Sequence, residues 1–527
     1  MVARPHQVSR RRFLGYGGAG AAAVLLGTGA WSAASSFAAP AMSGNPFALG
    51  IASGDPLPDG VVLWTRLAPD PFAEDGFGGM SAKPVRVEYE VAVDERFRGV
   101  VKRGTAVATP ELGHSVHPEV HGLAPDHEYF YRFRTGGEIS MVGRTRTTPA
   151  ASSSPRELNF AFASCQAWQD GYFTAYDHLA EEDLDLVVHL GDYLYEYGVK
   201  TNRRGVVTDP RFHTETVDLA RYRLQYSLYK AEEPLQRAHA RFPWIMTMDD
   251  HEVDNNWAAD ISERNDDPVA FRARMAAAFQ AMYENMPFRR QQLPAGPDVH
   301  LHRRLPYGRL ADFTMLDTRQ YRDDQPCGDG ASATCTERFG ADRTILGAEQ
   351  REWVLGGFSS SRARWQVLGN QAPMGQTDRD PGPATDVWMD PWDGYVAERD
   401  QVLAEAQRRG VRNLVVITGD RHQNYAWDLK DDYTDPGSAT VGAEFVGTSI
   451  TSGGDGADST AETDRFLAAN AHMKFINTQR GYVRVNVNRE RWRSDFRVLP
   501  YVTTPGAPIS TRATFVVEDG KPGVQAG

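Results

Sequence analysis

The sequence predicts a small antiparallel β-sandwich followed by a larger α/β domain, and three observations carry that reading. Residues 45–148 run as short alternating strands broken by turns, in "VVLWTRLA", "PVRVEYEVAVDE", "EYFYRFRT" and "MVGRTRTTP", with the period of two that a half-buried strand requires. The Pro/Ser-rich "TTPAASSSP" then reads as a linker. From residue 156 to 527 apolar strands such as "LNFAFASC", "LDLVVHLGD", "PWIMTMDD", "RWQVLGN" and "LVVITGD" alternate with helical stretches, the pattern of a layered α/β domain.

The strands of 45–148 suit an immunoglobulin- or fibronectin-like all-β domain. In the second part, "YFTAYDHLAEED", "VAFRARMAAAFQAMYENM" and "ERDQVLAEAQRRG" have helical spacing. A chain of 527 residues, 41% hydrophobic and 24% charged, is large enough for this division and ordinary for a globular protein. Ahead of both parts, residues 1–41 read as an export signal. "SRRRFLGYGGAGAAAVLLGTGAW" places a basic cluster before a glycine-broken apolar run, and Arg10–Arg11 followed by Phe13 and Leu14 fits the twin-arginine type. The expected partner is therefore the twin-arginine export machinery and the expected location extracellular. No later segment is apolar for long enough to span a bilayer.

The formal charge is −12, and loss of the leader's four arginines takes it to −16. Such a chain is not built to bind nucleic acid through phosphate neutralisation, and it suits one that gathers hard cations. Cys327 and Cys335 flank "CGDGASATC", a loop that a local disulfide would tie down in an oxidising compartment. Cys165 is left over, and a free cysteine is commonly a small buried hydrophobe.

In layered α/β domains ligands gather at the carboxyl ends of the strands. Here those ends carry Cys165; Asp192, Tyr195 and Glu196 of "GDYLYE"; the run Asp249 to Asn256, "DDHEVDNN"; Asn370 and Gln371; and Asp420, His422 and Asn424 of "GDRHQN". Turn chemistry accounts for aspartate and glycine at such places. It does not account for a cysteine, a tyrosine and histidines. Thiolate, phenolate and imidazole together favour a transition metal, and carboxylate and amide oxygens favour Ca²⁺, Mg²⁺ or Mn²⁺. The set predicts a softer ion beside one or more harder ones, with phenolate and carboxylate suiting Fe³⁺. Ions sharing one carboxylate lower the pKa of water and clamp a phosphate oxygen, and His251 would protonate the departing alkoxide. Hydrolysis of phosphate esters follows as the expected reaction.

The ordered motifs "ASCQ", "GDYLYEYG", "DDHEVDNNW", "LDTRQYR", "LGNQ", "GDRHQN" and "AEFVGTSITSGG" closely resemble the alkaline phosphatase D family. That family belongs to the calcineurin-like metallophosphoesterases and is distantly similar to the purple acid phosphatases. The resemblance implies a four-layer α/β/β/α sandwich holding one Fe³⁺ with one or two Ca²⁺, with Mn²⁺, Mg²⁺ or Zn²⁺ as substitutes. It makes Cys165 and Tyr195 iron ligands, Asp192 the bridging carboxylate, Asp250 a ligand of the second metal and His251 the acid beside it. Asp420 and His422 fall on the family's paired histidine positions, and Asn370 or Gln371 on a further ligand. Glu444 and Asn256 are candidates for an additional Ca²⁺ or the phosphate, or else a strand-edge acid and a turn amide, and Arg421 is a candidate to offset phosphate charge or to form a salt bridge.

The expected function is a secreted, monomeric phosphoesterase, active on monoesters and diesters through direct attack of a metal-bound hydroxide. The family also implies an alternative, a phospholipase D acting on phosphatidylcholine-type lipids and touching a lipid surface through the aromatics of "VWMDPWDGY". A non-enzymatic, calcium-stabilised module is a third reading, opposed by Cys165 and Tyr195, which a structural calcium site does not need.

Overall fold

The computed structural model describes residues 44–435 and 437–527; the leader expected over 1–41 lies outside them. Two mixed sheets stack face to face. At the centre of the larger, eleven-stranded sheet, Glu157–Ala163, Leu186–His189 and Pro243–Met246 pair in parallel. In the seven-stranded sheet Ala311–Met315, Trp365–Gly369, Leu414–Thr418 and Thr440–Val446 do the same. Antiparallel strands extend both, so the central strands are shielded and can be almost wholly apolar.

The layering follows from side-chain alternation. Along Glu157–Ala163, Leu158, Phe160 and Phe162 point into the space between the sheets, where Phe160 meets the Phe313 and Trp492 rings edge-on at 5.2 and 5.5 Å. Ala161 and Ala163 point the other way, onto a core closed by helices α1 (Thr174–Glu181), α2 (Leu219–Lys230), α3 (Glu233–Arg241) and α4 (Pro268–Asn285). In the second sheet Val415 and Ile417 face inward. Leu414 and Val416 face α5 (Gly347–Ser360) and α6 (Val396–Arg408). The result is the expected four-layer α/β/β/α sandwich. Local signals set the helix ends: Asp267 caps α4 by accepting bonds from Val269 and Ala270 N–H with Pro268 behind it, and Gly410, at φ 73°, follows α6.

The N-terminal all-β region is divided between two sheets. Val85–Ala92, Val100–Ala108, Glu128–Thr135, Glu138–Ile139 and Gly143–Arg146 form a five-stranded sheet of their own. The hairpin Ile51–Leu57/Gly60–Arg66 instead joins the larger sheet, with Ser53 opposite Pro243 in parallel register. Ile51, Val61 and Leu63 of the hairpin pack against Val87, Val91, Tyr131 and Phe133. One layer of the small sandwich is thus continuous with the catalytic-side sheet. Period-two patterning tells that a hairpin forms, and leaves open which edge it joins.

Charged side chains lock this junction. The fully buried Arg66 donates to the carbonyls of Gly113 and Gly76 and to Asn285 Oδ1, and Arg223 holds Glu284 of α4 through two bonds of 2.6 and 2.7 Å. Glu284→Ala would leave Arg223 uncompensated beside Arg66. We expect a loss of about 3–5 kcal/mol in denaturant unfolding; a loss below about 1 kcal/mol would contradict this account of the junction.

Candidate metal centre

Five strands, three from one sheet and two from the other, end on the same side, and backbone bonds tie their loops together. Cys165 N–H donates to the Gly191 carbonyl at 3.1 Å, Gln166 to Asp192 at 3.0 Å and Gly419 to Gln371 at 3.1 Å. Close approach is made by glycine: a Cβ on Gly191 (φ 111°) would lie 2.5 Å from Asp249. Cys165, Asp192, Asp420 and His422 all have left-handed backbones, with φ between 53° and 66°. Such conformations are costly for a residue carrying a Cβ, and they concentrate where side-chain placement matters more than stability.

The ligand atoms of Cys165, Asp192 and His422 lie within 4.8 Å of one another, as do those of Asp192, Asp250 and His251, and those of Asp249, Asp250 and Asp420. Asp192 belongs to the first two groups and Asp250 to the last two. Tyr195 enters the first group through its hydroxyl, 3.0 Å from both Asp192 Oδ2 and His422 Nε2, and it accepts a bond from Ser452 Oγ at 2.8 Å. One end of the centre is therefore sulfur, phenol, imidazole and carboxylate, and the other is carboxylate oxygen.

This arrangement fits cations. Asp249 Oδ2 and Asp250 Oδ1 are buried with no hydrogen-bond partner among the described residues, a state that is costly unless something else satisfies them. Burial drives Asp192 and Asp249 well above the usual carboxylate range and Asp420 up to about 7, with neighbouring carboxylates adding to the effect. Burial and the Asp192 charge likewise push the Cys165 thiol and the Tyr195 phenol far up. A bound cation displaces such protons. His422 is held down to about 3 by burial and then by Arg480, so its imidazole is neutral and able to ligate. The mixed donor set suits a transition metal and the oxygen set a harder ion.

A surrounding layer fixes these groups. Glu252 accepts from the backbone N–H of Asp192 (3.1 Å), Tyr193 (2.6 Å) and Asp249 (2.8 Å), joining two ligand loops through one carboxylate. Arg319, fully buried, donates to Asp249 Oδ1 at 2.6 Å and to Asp390 at 2.8 Å, and stands 3.6 Å from Asp250. Asp250 is accordingly low: burial pushes it up, and Arg319 and His251 outweigh burial. Glu196 Oε2 lies 2.8 Å from His251 Nδ1, and its Oε1 accepts from Asn255 N–H. The His251 ring stacks on Tyr195 at 4.1 Å. Burial works against charge on His251, yet Glu196, Asp250 and Asp192 together hold it well above its ordinary value. Its ring stands at the edge of the acidic groups.

Other expected site residues stand differently. Asn256 donates its backbone N–H to Asp250 Oδ2 at 2.7 Å and its amide to Asp329, inside the loop closed by the Cys327–Cys335 disulfide. Arg421 carries its guanidinium 5.8 Å from the Trp388 ring. Between Asn370 and Gln371, Gln371 has both ends committed, accepting from Thr318 and donating to Thr247 and Leu316. The Asn370 oxygen accepts one bond, from Trp392 Nε1 at 3.2 Å. Glu444 stands apart from the three groups of close ligand atoms. Its two oxygens accept from Met374 N, Gly375 N, Thr418 Oγ1 and Trp427 Nε1, which fills its lone pairs inside the second sheet. From sequence, Asp249 and Glu252 stand out only as members of "DDHEVDNN" and Arg319 only as a member of "LDTRQYR", and Asp390 carries no signal.

Residues 160–496 match the family described as PhoD-like phosphatase, and residues 32–149 match the PhoD-like phosphatase N-terminal domain. Over 492 residues the chain is 49% identical to alkaline phosphatase D of Bacillus subtilis strain 168, spanning 93% of this chain and 83% of that one. The solved structure described as "Structure of PhoD" is similar with a TM-score of 0.89 at 48% identity, covering 93% of each chain. Both parts of the fold and the order of the site motifs are accounted for together: the chain belongs to the PhoD-like phosphatase family.

Proposed function

We propose that the protein is a metal-dependent phosphoesterase, an alkaline phosphatase acting on phosphate monoesters and diesters. The observation that carries this is the position of Asp192, shared between the Cys165/His422 group and the Asp250/His251 group. The donor chemistry supports Fe³⁺ at the Cys165, Tyr195 and His422 end and Ca²⁺ at the Asp249, Asp250 and Asp420 end. Cations there supply Lewis acidity, lowering the pKa of water and neutralising charge on a phosphate oxygen.

The chain's own groups do the rest. Asp192 faces both ends of the centre. Glu196 orients His251 through Nδ1, which leaves Nε2 to hand a proton to the departing alkoxide. Arg319 holds Asp249 in place and offsets the charge of the acidic end. The closeness of Cys165 to Asp192 and His422 supports a ligand role for its sulfur, and in this reading water attacks phosphorus directly, without a phosphoenzyme. A relative named as a phosphatase favours this reading over a phospholipase. Export by the twin-arginine route is supported by Arg10–Arg11 in the sequence, and the Cys327–Cys335 disulfide fits an oxidising compartment. Among the described residues no helix is long and apolar enough to cross a membrane.

Asp192→Asn is expected to lower kcat/KM by about a thousandfold or more on a soluble aryl phosphate; near-normal turnover would sink the mechanism. Glu196→Gln should lower kcat by about 10- to 100-fold. Because Glu196 raises the His251 pKa and the acid must be protonated to act, the alkaline limb of the pH profile should also move to lower pH. An unmoved limb would mean that Glu196 is merely structural. Dialysis against a calcium-selective chelator should abolish activity and added Ca²⁺ restore it, with the iron content by elemental analysis unchanged; loss of both metals together would contradict two ends of different hardness.

A further inference from the structure

The opposite end of the second sheet carries a groove of about 630 Å³ lined by seven arginines and a single acid, Asp519. It lies at the amino ends of Trp365–Gly369 and Leu414–Thr418, whereas the metal centre lies beyond their carboxyl ends. Five residues of strand and the following loop separate the two by about 15–20 Å. On a chain of net charge −12 this is a local reversal of sign.

Four of the arginines have structural roles. Arg408 and Arg409, at the end of α6, pair with Glu405 and complement the helix dipole. Arg364 and Arg412 pair with Asp519. Arg309, Arg362 and Arg489 are exposed and make no side-chain hydrogen bond or ion pair with any described residue. Neither helix capping nor salt bridging explains three unpaired guanidinium groups facing one concavity, where they repel one another. A second cleft of about 700 Å³ shares Arg364, Arg489 and Asp519 with the groove and extends it past Arg491. Glu490 and Glu518 also line that extension, so the cationic excess is concentrated in the first groove.

We propose that this groove is a docking site for a soluble linear polymer bearing repeated phosphate groups. Guanidinium forks match phosphate oxygens two at a time, and three unpaired forks lining one groove match a repeating anion better than a single one. A membrane surface is disfavoured, because a concave site cannot lie flat on lipid and none of the exposed large hydrophobic residues lines it. Binding here is independent of turnover at the metal centre, so the two readings fail separately.

The test compares the intact protein with R309Q/R362Q/R489Q, using long-chain inorganic polyphosphate as probe. We expect polyphosphate affinity to fall about 10- to 100-fold and the slope of log Kd against log salt to flatten by about two. Turnover of a soluble aryl phosphate and Tm should be unchanged, which shows that the variant is folded. Undiminished polyphosphate binding by the variant would overturn the proposal. So would inorganic orthophosphate competing as strongly as the polymer at equal phosphate concentration. Arginine-dependent binding to phosphatidylglycerol/phosphatidylcholine vesicles, with none to polyphosphate, would overturn it in favour of a lipid surface.

Discussion

Three carboxylates, Asp192, Asp249 and Asp250, are buried and a fourth, Asp420, is half-buried; Asp250 lies within a few ångströms of each of the others, and two of their oxygens have no hydrogen donor among the described residues. Bringing such charges out of water together is unfavourable by several kcal/mol per ion unless opposite charge is supplied. Arg319 and His251 supply part of it. What they leave uncompensated is the demand for cations, and the neighbouring architecture is arranged around that demand. Glu252 pins two ligand loops through their backbones, so that the carboxylates cannot relax apart. Gly191 removes the Cβ that would hold those loops at a distance.

The same constraint explains where the strain lies. Cys165, Asp192, Asp420 and His422 are each left-handed without being glycine, at about 1–3 kcal/mol apiece. Glycine would relieve that cost and lose the donor side chain. The offset comes from the core between the two sheets, where Phe160, Phe313, Trp492 and Ile417 interlock. Close-packed cores tolerate little shift, which makes them a rigid base for loops held in unfavourable conformations.

How much of this was legible in the sequence depends on the range of the interaction. Cys165, Asp192, Tyr195, Asp250, Asp420 and His422 could be found because each follows an apolar strand, and parallel topology delivers strand ends to one place. The Glu196–His251 and Arg319–Asp249 pairs span 55 and 70 residues, and no local pattern marks them. Glu444 shows the converse. An acid at a strand position looks available until Met374, 70 residues earlier, and Trp427, opposite it on the paired strand, are seen to occupy it. The hairpin at Ile51–Arg66 shows the same limit at the level of the fold: its alternation was plain, and its partner strand, Pro243–Met246, lies almost two hundred residues on.

The two ends of the second sheet therefore present opposite electrostatics, and screening lets them coexist. At physiological ionic strength the field of an exposed charge fades over about 8–10 Å. Acids gathered at the carboxyl ends of the strands thus do little to the potential at the amino ends, even though the whole chain is acidic. An approaching anion there senses Arg309, Arg362 and Arg489 and not the net charge of the molecule. Conversely, the buried carboxylates are little screened by salt and keep their pull on cations whatever the surface carries. Separation by the length of a strand is what allows one scaffold to concentrate acid at one end and unpaired arginine at the other.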